Sequence, residues 1–224
     1  MKLKDFGFSF KGTAPTPDEG RRNYWFTERS QAISSFLTTK ARQAKIEVTA
    51  GFDGMFVFPD NAAPDPDAAV VRGRAYCVPV PVDWVEYARV LDDATAFGAF
   101  ICDVFRRAFG RIDAGTGLPV DAMLSWIDAF EEAEYKHVFT YVRKVWRARG
   151  ITAELICATV QNAFRLRLKA TVDGRVIWDD VILKALPDPL HYYYAFKGLE
   201  LRDDRLLVTS RQPADAPPLL EIPI

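Results

Sequence analysis

The stretch ITAELICATVQNAFRLRLKATVDGRVIWDDVIL, residues 151–183, decides the fold class of this 224-residue chain. Apolar and polar residues alternate along it with a period of two, which is typical of half-buried β-strands. Its Asp-Gly dipeptide is a common two-residue hairpin turn, so successive strands are predicted to pair in an antiparallel meander. The predicted strands cover residues 151–160, 163–172 and 175–183.

The first of these strands has an alternative. Ile151, Leu155, Thr159 and Phe164 also fit a helical period. We favour a strand over a helix for this segment.

A two-residue turn at Asp173-Gly174 sets the register of the last two strands. The apolar pairs predicted on one face are Phe164 with Leu183, Leu166 with Val181, and Ala170 with Ile177. The pairs predicted on the other face are Arg167 with Asp180 and Lys169 with Trp178. Asp179 then falls on the apolar face, where a bare carboxylate is unfavourable. We favour a bulge that turns it outward over a functional carboxylate.

Working towards the amino terminus, helical spacing of apolar residues predicts helices over residues 28–44, 84–109 and 120–148. The two long helices are predicted to lie antiparallel, since a short loop joins them. Residues 1–22 are predicted to wrap the surface or to begin with one short strand. Asp53-Gly54 predicts a hairpin between KIEVTAGF and MFVFP. The Pro- and Asp-rich segment 59–69 is predicted to be an exposed loop, followed by a strand over residues 70–78.

Towards the carboxyl terminus, HYYYAF and LELRDDRLLVTS are predicted as further strands, and the Pro-rich tail as extended chain. The whole pattern predicts an α+β fold. In it, an antiparallel sheet from the amino-terminal hairpin and the carboxyl-terminal meander packs with two long antiparallel helices and one shorter helix. We predict one domain over residues 1–224, with a sub-division into 1–82, 83–150 and 151–224.

The amino-acid composition limits the classes of partner and the cellular location that we expect. Lys and Arg number 29 and Asp and Glu 30, so the formal net charge is −1 and no overall field attracts nucleic acid or anionic membrane. Three dispersed cysteines fit reduced, buried thiols better than a disulfide framework. AFGAFIC, the most apolar stretch, is shorter than the ~20 residues that a bilayer requires. The amino terminus does not read as a secretory signal. We therefore expect a cytoplasmic protein.

Glu134 and His137 provide a candidate metal site, because Glu-x-x-His places both side chains on one face of a helix. A bundle site requires a second such pair, and the only other histidine, His191, follows a proline. We therefore predict no metal and no other cofactor, and interpret His137 as a surface or rim histidine. The chain also has no phosphate loop and no GxSxG nucleophile elbow.

Two further patterns indicate binding. Arg165, Arg167 and Lys169 share one face of a strand and, with Arg175 nearby, could bind phosphates. The net charge argues against nucleic acid as the partner. The run Tyr192-Tyr193-Tyr194 is typical of a stacking platform or a protein-binding hot spot, although half-buried sheet aromatics are the commoner outcome.

In this profile, few residue types suit catalysis, while acidic loops and exposed aromatics are frequent. It is similar to that of small cytoplasmic bacterial immunity proteins, which block a partner toxin by binding it. The resemblance implies a non-enzymatic protein-binding module with a basic protein partner. The predicted partner-binding residues are Asp92, Asp93, Asp128, Glu131, Glu132, Tyr192 and Tyr194.

Two alternatives remain. One is a metal-independent hydrolase with Asp179 and Glu134 as acid and base. The other is a structural subunit of a viral or secretion assembly, with the Pro-rich termini as arms between subunits.

Overall fold

The computed structural model describes residues 1–10, 16–49, 51–59, 69–213 and 216–224. Those residues form five α-helices and eleven strands, which confirms the predicted α+β class. The helices are α1 (Pro17–Arg29), α2 (Gln31–Ala44), α3 (Trp84–Val90), α4 (Ala94–Phe109) and α5 (Val120–Glu132). The strands are β1 (Asp5–Phe8), β2 (Gly54–Phe58), β3 (Val70–Arg72), β4 (Ala75–Pro79), β5 (His137–Trp146), β6 (Ile151–Val160), β7 (Ala163–Val172), β8 (Arg175–Ala185), β9 (Gly198–Arg202), β10 (Arg205–Thr209) and β11 (Leu220–Pro223).

The chain divides into two compact units, Met1–His137 and Val138–Ile224. The boundary lies at the start of β5, whereas the predicted sub-division has boundaries after residues 82 and 150. The prediction of one domain over residues 1–224 stays a prediction. The exposed loop predicted over residues 59–69 lies, apart from its ends, outside the described residues.

The first unit contains a four-stranded sheet in the order β1-β2-β4-β3. Strands β1 and β4 flank β2 in parallel, and β3 pairs with β4 antiparallel. The predicted hairpin at Asp53-Gly54 is therefore wrong. The Asp53 amide donates to the Arg74 carbonyl oxygen, and the Asp53 carbonyl accepts from the Lys4 amide. Gly54 begins a strand that is buried between two others, so the Asp-Gly pair enters β2 instead of joining two neighbouring strands.

Helix boundaries differ from the prediction because local caps interrupt the apolar spacing. The helix predicted from residue 28 is two helices that meet at Ser30, and α1 begins much earlier. There Thr16 caps the helix: its Oγ1 accepts from the Glu19 amide at 3.3 Å, and Pro17 occupies the first turn. This capping signal is visible in the sequence. The helix predicted over residues 84–109 likewise breaks before Asp93, the N-cap of α4.

The helix predicted over residues 120–148 ends at Glu132, and its second half is strand β5. Glu134 and Tyr135 have φ of 53° and 60°, and a right-handed helix cannot continue through residues with positive φ. β-Branched and aromatic residues then favour a strand. The predicted antiparallel helix pair is present as α4 and α5: Gly98, early in α4, lies against the Tyr135 ring after α5, and Arg106, late in α4, binds α5.

The second unit consists of two antiparallel sheets that share one core. Their orders are β5-β6-β7-β8 and β11-β10-β9. The core residues of the first sheet include Leu155, Phe164, Leu166 and Leu168, and those of the second include Leu199, Leu206, Val208 and Ile222. The predicted meander is confirmed, and its strands do not join the amino-terminal strands in the single sheet that we predicted.

The predicted register of β7 and β8 is wrong, although the turn at Asp173-Gly174 is confirmed by the pairing of Val172 with Arg175. Register shifts follow Leu166 and Ala170, so that Leu166 faces Leu183 and Ala170 faces Trp178. The same shifts place Phe164 opposite Ala185, Arg167 opposite Val181 and Lys169 opposite Asp179. The sequence indicated a bulge near Asp179 but did not place these two register shifts.

Of the other predictions for the carboxyl-terminal part, some are confirmed and one is wrong. LELRDDRLLVTS forms the hairpin of β9 and β10, as predicted. HYYYAF is not a strand: a 3₁₀ turn at Pro189–His191 leads into further turns, because Asp188 caps it through the Leu190 amide. Within the tail, β11 is extended and pairs with β10.

Candidate partner-binding surfaces

Asp92 and Asp93 lie in the connection between α3 and α4, and both are exposed. The Asp93 carboxylate accepts the Thr95 and Ala96 amides, each at 2.9 Å. It thereby satisfies two backbone donors at the start of α4. Asp93 therefore has a structural role, whereas Asp92 is exposed in the turn and does not cap the helix.

Asp128 and Glu131 on α5 bind Arg106 on α4. The Arg106 guanidinium donates to both Glu131 carboxylate oxygens at 2.7 and 2.6 Å and to Asp128 Oδ1 at 2.7 Å. Hydrogen bonding to Glu131 is the main cause of the raised pKa of Arg106. The single guanidinium compensates one of these two carboxylate charges, so the cluster keeps a net charge of −1. Asp92 and Glu132 are exposed as well.

The three consecutive tyrosines follow β8 and lie in two environments. The Tyr192 ring stacks on Phe164, with centroids 3.6 Å apart, and is half-buried. Tyr193 and Tyr194 are 49% and 60% exposed and meet edge to face at 5.1 Å. Leu190, in the preceding turn, is 83% exposed. Tyr192 is therefore a packing residue, while Tyr193, which our prediction omitted, lies on the surface beside Tyr194.

Arg211 holds this segment in place. Its Nη1 donates to the carbonyl oxygens of Tyr193 and Phe196 at 2.5 and 2.8 Å. Its backbone amide donates to the Tyr194 carbonyl at 3.1 Å. The guanidinium carbon lies 4.2 Å from the centre of the Tyr193 ring, a cation–π contact. We call Tyr193, Tyr194 and Arg211 the tyrosine surface. Arg211 could not be found from sequence, since it is 18 residues from Tyr193.

Arg211 also reaches strand β5. Its Nη2 donates to the Tyr141 hydroxyl at 2.7 Å, and the Tyr141 ring meets Phe196 edge to face at 5.1 Å. The segment that carries the tyrosine surface is therefore fixed to the sheet by both hydrogen bonds and ring contacts. A surface held in one conformation loses little entropy when it binds a partner.

Glu134 and His137 do not share a helix face. Glu134 is exposed and pairs with Lys136, which lowers the pKa of Glu134. His137, predicted at the surface, is buried: it is 4% exposed and its ring meets Phe36 edge to face at 5.8 Å. Burial lowers the pKa of His137 to about 4. In the part of the chain that the structure describes, no group of three potential metal ligands comes together.

Asp179 turns outward at the bulged part of β8, as we favoured from the sequence. It accepts two hydrogen bonds from Arg167, at 2.5 and 2.6 Å. These bonds are the main cause of the lowered pKa of Asp179. Glu134 and Asp179 therefore both stay ionised to below their usual pH range. A general acid needs a raised pKa, so neither carboxylate has the electrostatics of that role.

The three thiols confirm the expectation of buried, reduced cysteines. Burial raises the pKa of Cys102 and of Cys157 to about 12. Burial also raises the pKa of Cys77. Since the thiolate is the nucleophile, these protonated thiols are inert at neutral pH.

An open cleft of about 860 Å³ lies in the first unit between α3 and α4. Its apolar lining comes from Val82, Val90, Ala96 and Phe100. Two internal ion pairs, Glu86 with Arg89 and Asp103 with Arg107, occupy its rim. The charges of these pairs are compensated within the cleft, so they provide neither a free acid nor a free base.

Comparisons with protein families, with curated proteins and with solved structures give no match to this chain. Among the described residues, none of the helices has the length and apolarity needed to cross a bilayer.

Proposed function

We propose that this protein is a non-enzymatic protein-binding module whose affinity comes mainly from the tyrosine surface. The observation that carries the proposal is the pair of exposed rings held on a fixed backbone by Arg211. Interface hot spots are enriched in Tyr and Arg, and a tyrosine offers both a large apolar ring and a hydroxyl that forms hydrogen bonds.

The chemistry of the described residues favours binding over catalysis. The two carboxylates of the hydrolase alternative are both paired with cations and have lowered pKa values. The thiols are buried and protonated. By contrast, Tyr193 and Tyr194 are exposed, and Arg211 orders the segment that carries them.

Charge plays a secondary part in this proposal. Asp92 and Glu132 would steer a basic partner during the encounter, because exposed charges act mainly on the association rate. Asp128 and Glu131 contribute less, since Arg106 holds them. In the finer form of the proposal, the partner is a toxin and the module is its bacterial immunity-type inhibitor.

Affinity purification from extracts of the native host tests the proposal. We expect the wild-type chain to retain one defined protein, and Tyr194→Ala to weaken that binding by about tenfold or more. Val85→Ala is the matched control, since Val85 is 81% exposed on α3. Equal retention by the wild type and by Tyr194→Ala would contradict the proposal.

The inhibitor form has its own test. The gene beside this one is expressed with and without this chain, and growth is measured. Growth that is arrested by the neighbour, rescued by the wild type and not rescued by Tyr194→Ala supports the inhibitor role. If expression of the neighbouring gene does not arrest growth, the inhibitor role is contradicted. The affinity purification still tests the binding proposal in that case.

A further inference from the structure

Strand β5 is a long edge strand with unusual exposure. Within the described residues it has a sheet neighbour on one side only, β6. Four of its large apolar side chains are exposed: Val138, Phe139, Tyr141 and Val145. A long, exposed, apolar strand at the edge of a sheet is a template for another strand.

The opposite edge of the same sheet, β8, is protected. Two register shifts interrupt its pairing with β7. The adjacent carboxylates Asp179 and Asp180 lie on it, and Asp180 Oδ1 accepts the Val181 amide at 2.7 Å. Bulges and charges are the features that prevent edge-to-edge pairing. The β8 edge is therefore protected against pairing with another strand. The β5 edge carries positive charge only at Arg143 and Lys144.

From these observations we infer that β5 pairs antiparallel with β5 of a second copy of this chain, in a register centred on Val142. When the two-fold axis passes through a residue, odd-numbered residues of one copy lie opposite odd-numbered residues of the other, and even-numbered opposite even-numbered. The side chains of each opposite pair point to the same face of the joined sheet. The resulting opposite pairs are Val138 with Trp146, Phe139 with Val145, Thr140 with Lys144, and Tyr141 with Arg143. The strand is thus complementary to itself.

Charge selects this register over its neighbours. When the axis passes through Val142, neither Arg143 nor Lys144 faces its own copy, and Arg143 faces the Tyr141 ring. An axis through Arg143 or Lys144 would place like charges directly opposite each other, which destabilises a ladder. An axis through Tyr141 would place Lys144 opposite Val138 and would separate the Phe139–Val145 pair. Arg143 is further neutralised by Glu154 at 3.2 Å.

A second copy is favoured over a foreign strand because every apolar residue of the exposed strand finds an apolar or cation–π partner in the copy. The contact is isologous and closes with two chains. It leaves Tyr194 outside the paired strand, whereas Tyr141 within that strand accepts a hydrogen bond from Arg211 of the tyrosine surface.

Sedimentation equilibrium of the full chain tests the pairing. The wild type should have twice the monomer mass of 25.3 kDa. Phe139→Glu and Val145→Lys should each weaken association at least about a hundredfold, because the symmetric contact then holds two charges opposite apolar side chains. Val176→Glu on β8, at a 56% exposed valine, is the control and should keep the dimer.

The double variant Phe139→Glu with Val145→Lys is the decisive sample. Residues 139 and 145 lie about 20 Å apart along one strand, so they cannot pair within a chain. In the Val142-centred register they face each other between chains, and the dimer should return. Circular dichroism establishes that each variant is folded, and Val145→Lys carries the test alone if Phe139→Glu does not fold. A monomeric wild type, a dimeric single variant or a folded but monomeric double variant would each overturn the inference.

Discussion

At the residue scale, His137 has the most consequential environment. It belongs to the Glu-x-x-His spacing that suggested a metal, yet it is buried beside Phe36. The spacing was misleading because the helix ends at Glu132 and the positive φ of Glu134 and Tyr135 redirects the chain. A sequence pattern defines a shared helix face only as far as the helix continues.

The burial of His137 makes stability depend on pH. Its pKa is about 4 in the folded protein against an ordinary 6.5, so below pH 6.5 the unfolded chain binds more protons. This contribution to stability is complete above pH 6.5 and is lost as the pH falls towards 4. Between pH 7.5 and 4.5 we expect a loss of about 2–3 kcal/mol from this residue.

Urea unfolding at the two pH values measures this loss. His137→Phe is the comparison, because it removes the titrating group while keeping an aromatic ring against Phe36. The wild type should lose more stability than the variant on acidification. Equal losses, or an NMR titration of His137 with a midpoint near 6.5, would show that the ring is not held neutral by burial.

At the element scale, the sequence predicted strands better than helix ends. The alternation over residues 151–172 gave β6 and β7 their observed limits, because a strand that is buried on one face must alternate. Bulges then shifted β7 against β8, and a single shift moves every later pair. The helix ends were misplaced where a cap such as Asp93 interrupts an apolar stripe that continues on both sides.

The adjacent residues Asp92 and Asp93 differ in structural role, because only Asp93 caps α4. Asp93→Ala removes the cap of α4 and should reduce the free energy of unfolding by about 1 kcal/mol, while Asp93→Ser should retain most of it. Asp92→Ala should leave stability unchanged. Thermal unfolding of the three variants checks this. Equal effects of the alanine substitutions at residues 92 and 93 would mean that the hydrogen bonds to Thr95 and Ala96 do not stabilise α4.

Only some residues of the tyrosine surface could be predicted from the sequence. The tyrosine run suggested Tyr194 as a binding residue, and its ring is 60% exposed. Tyr192 was misjudged, since only the fold reveals the Phe164 ring on which it stacks. Arg211 and Tyr193 were missed because the contact that orders the segment joins residues that are distant in sequence.

At the scale of the whole molecule, the two units contribute different features. The first holds the acidic residues and the α3–α4 cleft, and the second holds the tyrosine surface and the open strand β5. A structural subunit of an extended assembly needs contacts that propagate. The inferred β5 pairing closes with two copies, so by itself it does not support such an assembly.

The central claim is that the tyrosine surface contacts a protein partner. The most direct measurement replaces Tyr194 with a photo-crosslinking amino acid in the native host, with Val85 replaced likewise as the control. We expect one discrete adduct from position 194, whose added mass differs from the 25.3 kDa of this chain, and none from position 85. No adduct from position 194, or the same adducts from both positions, would contradict it.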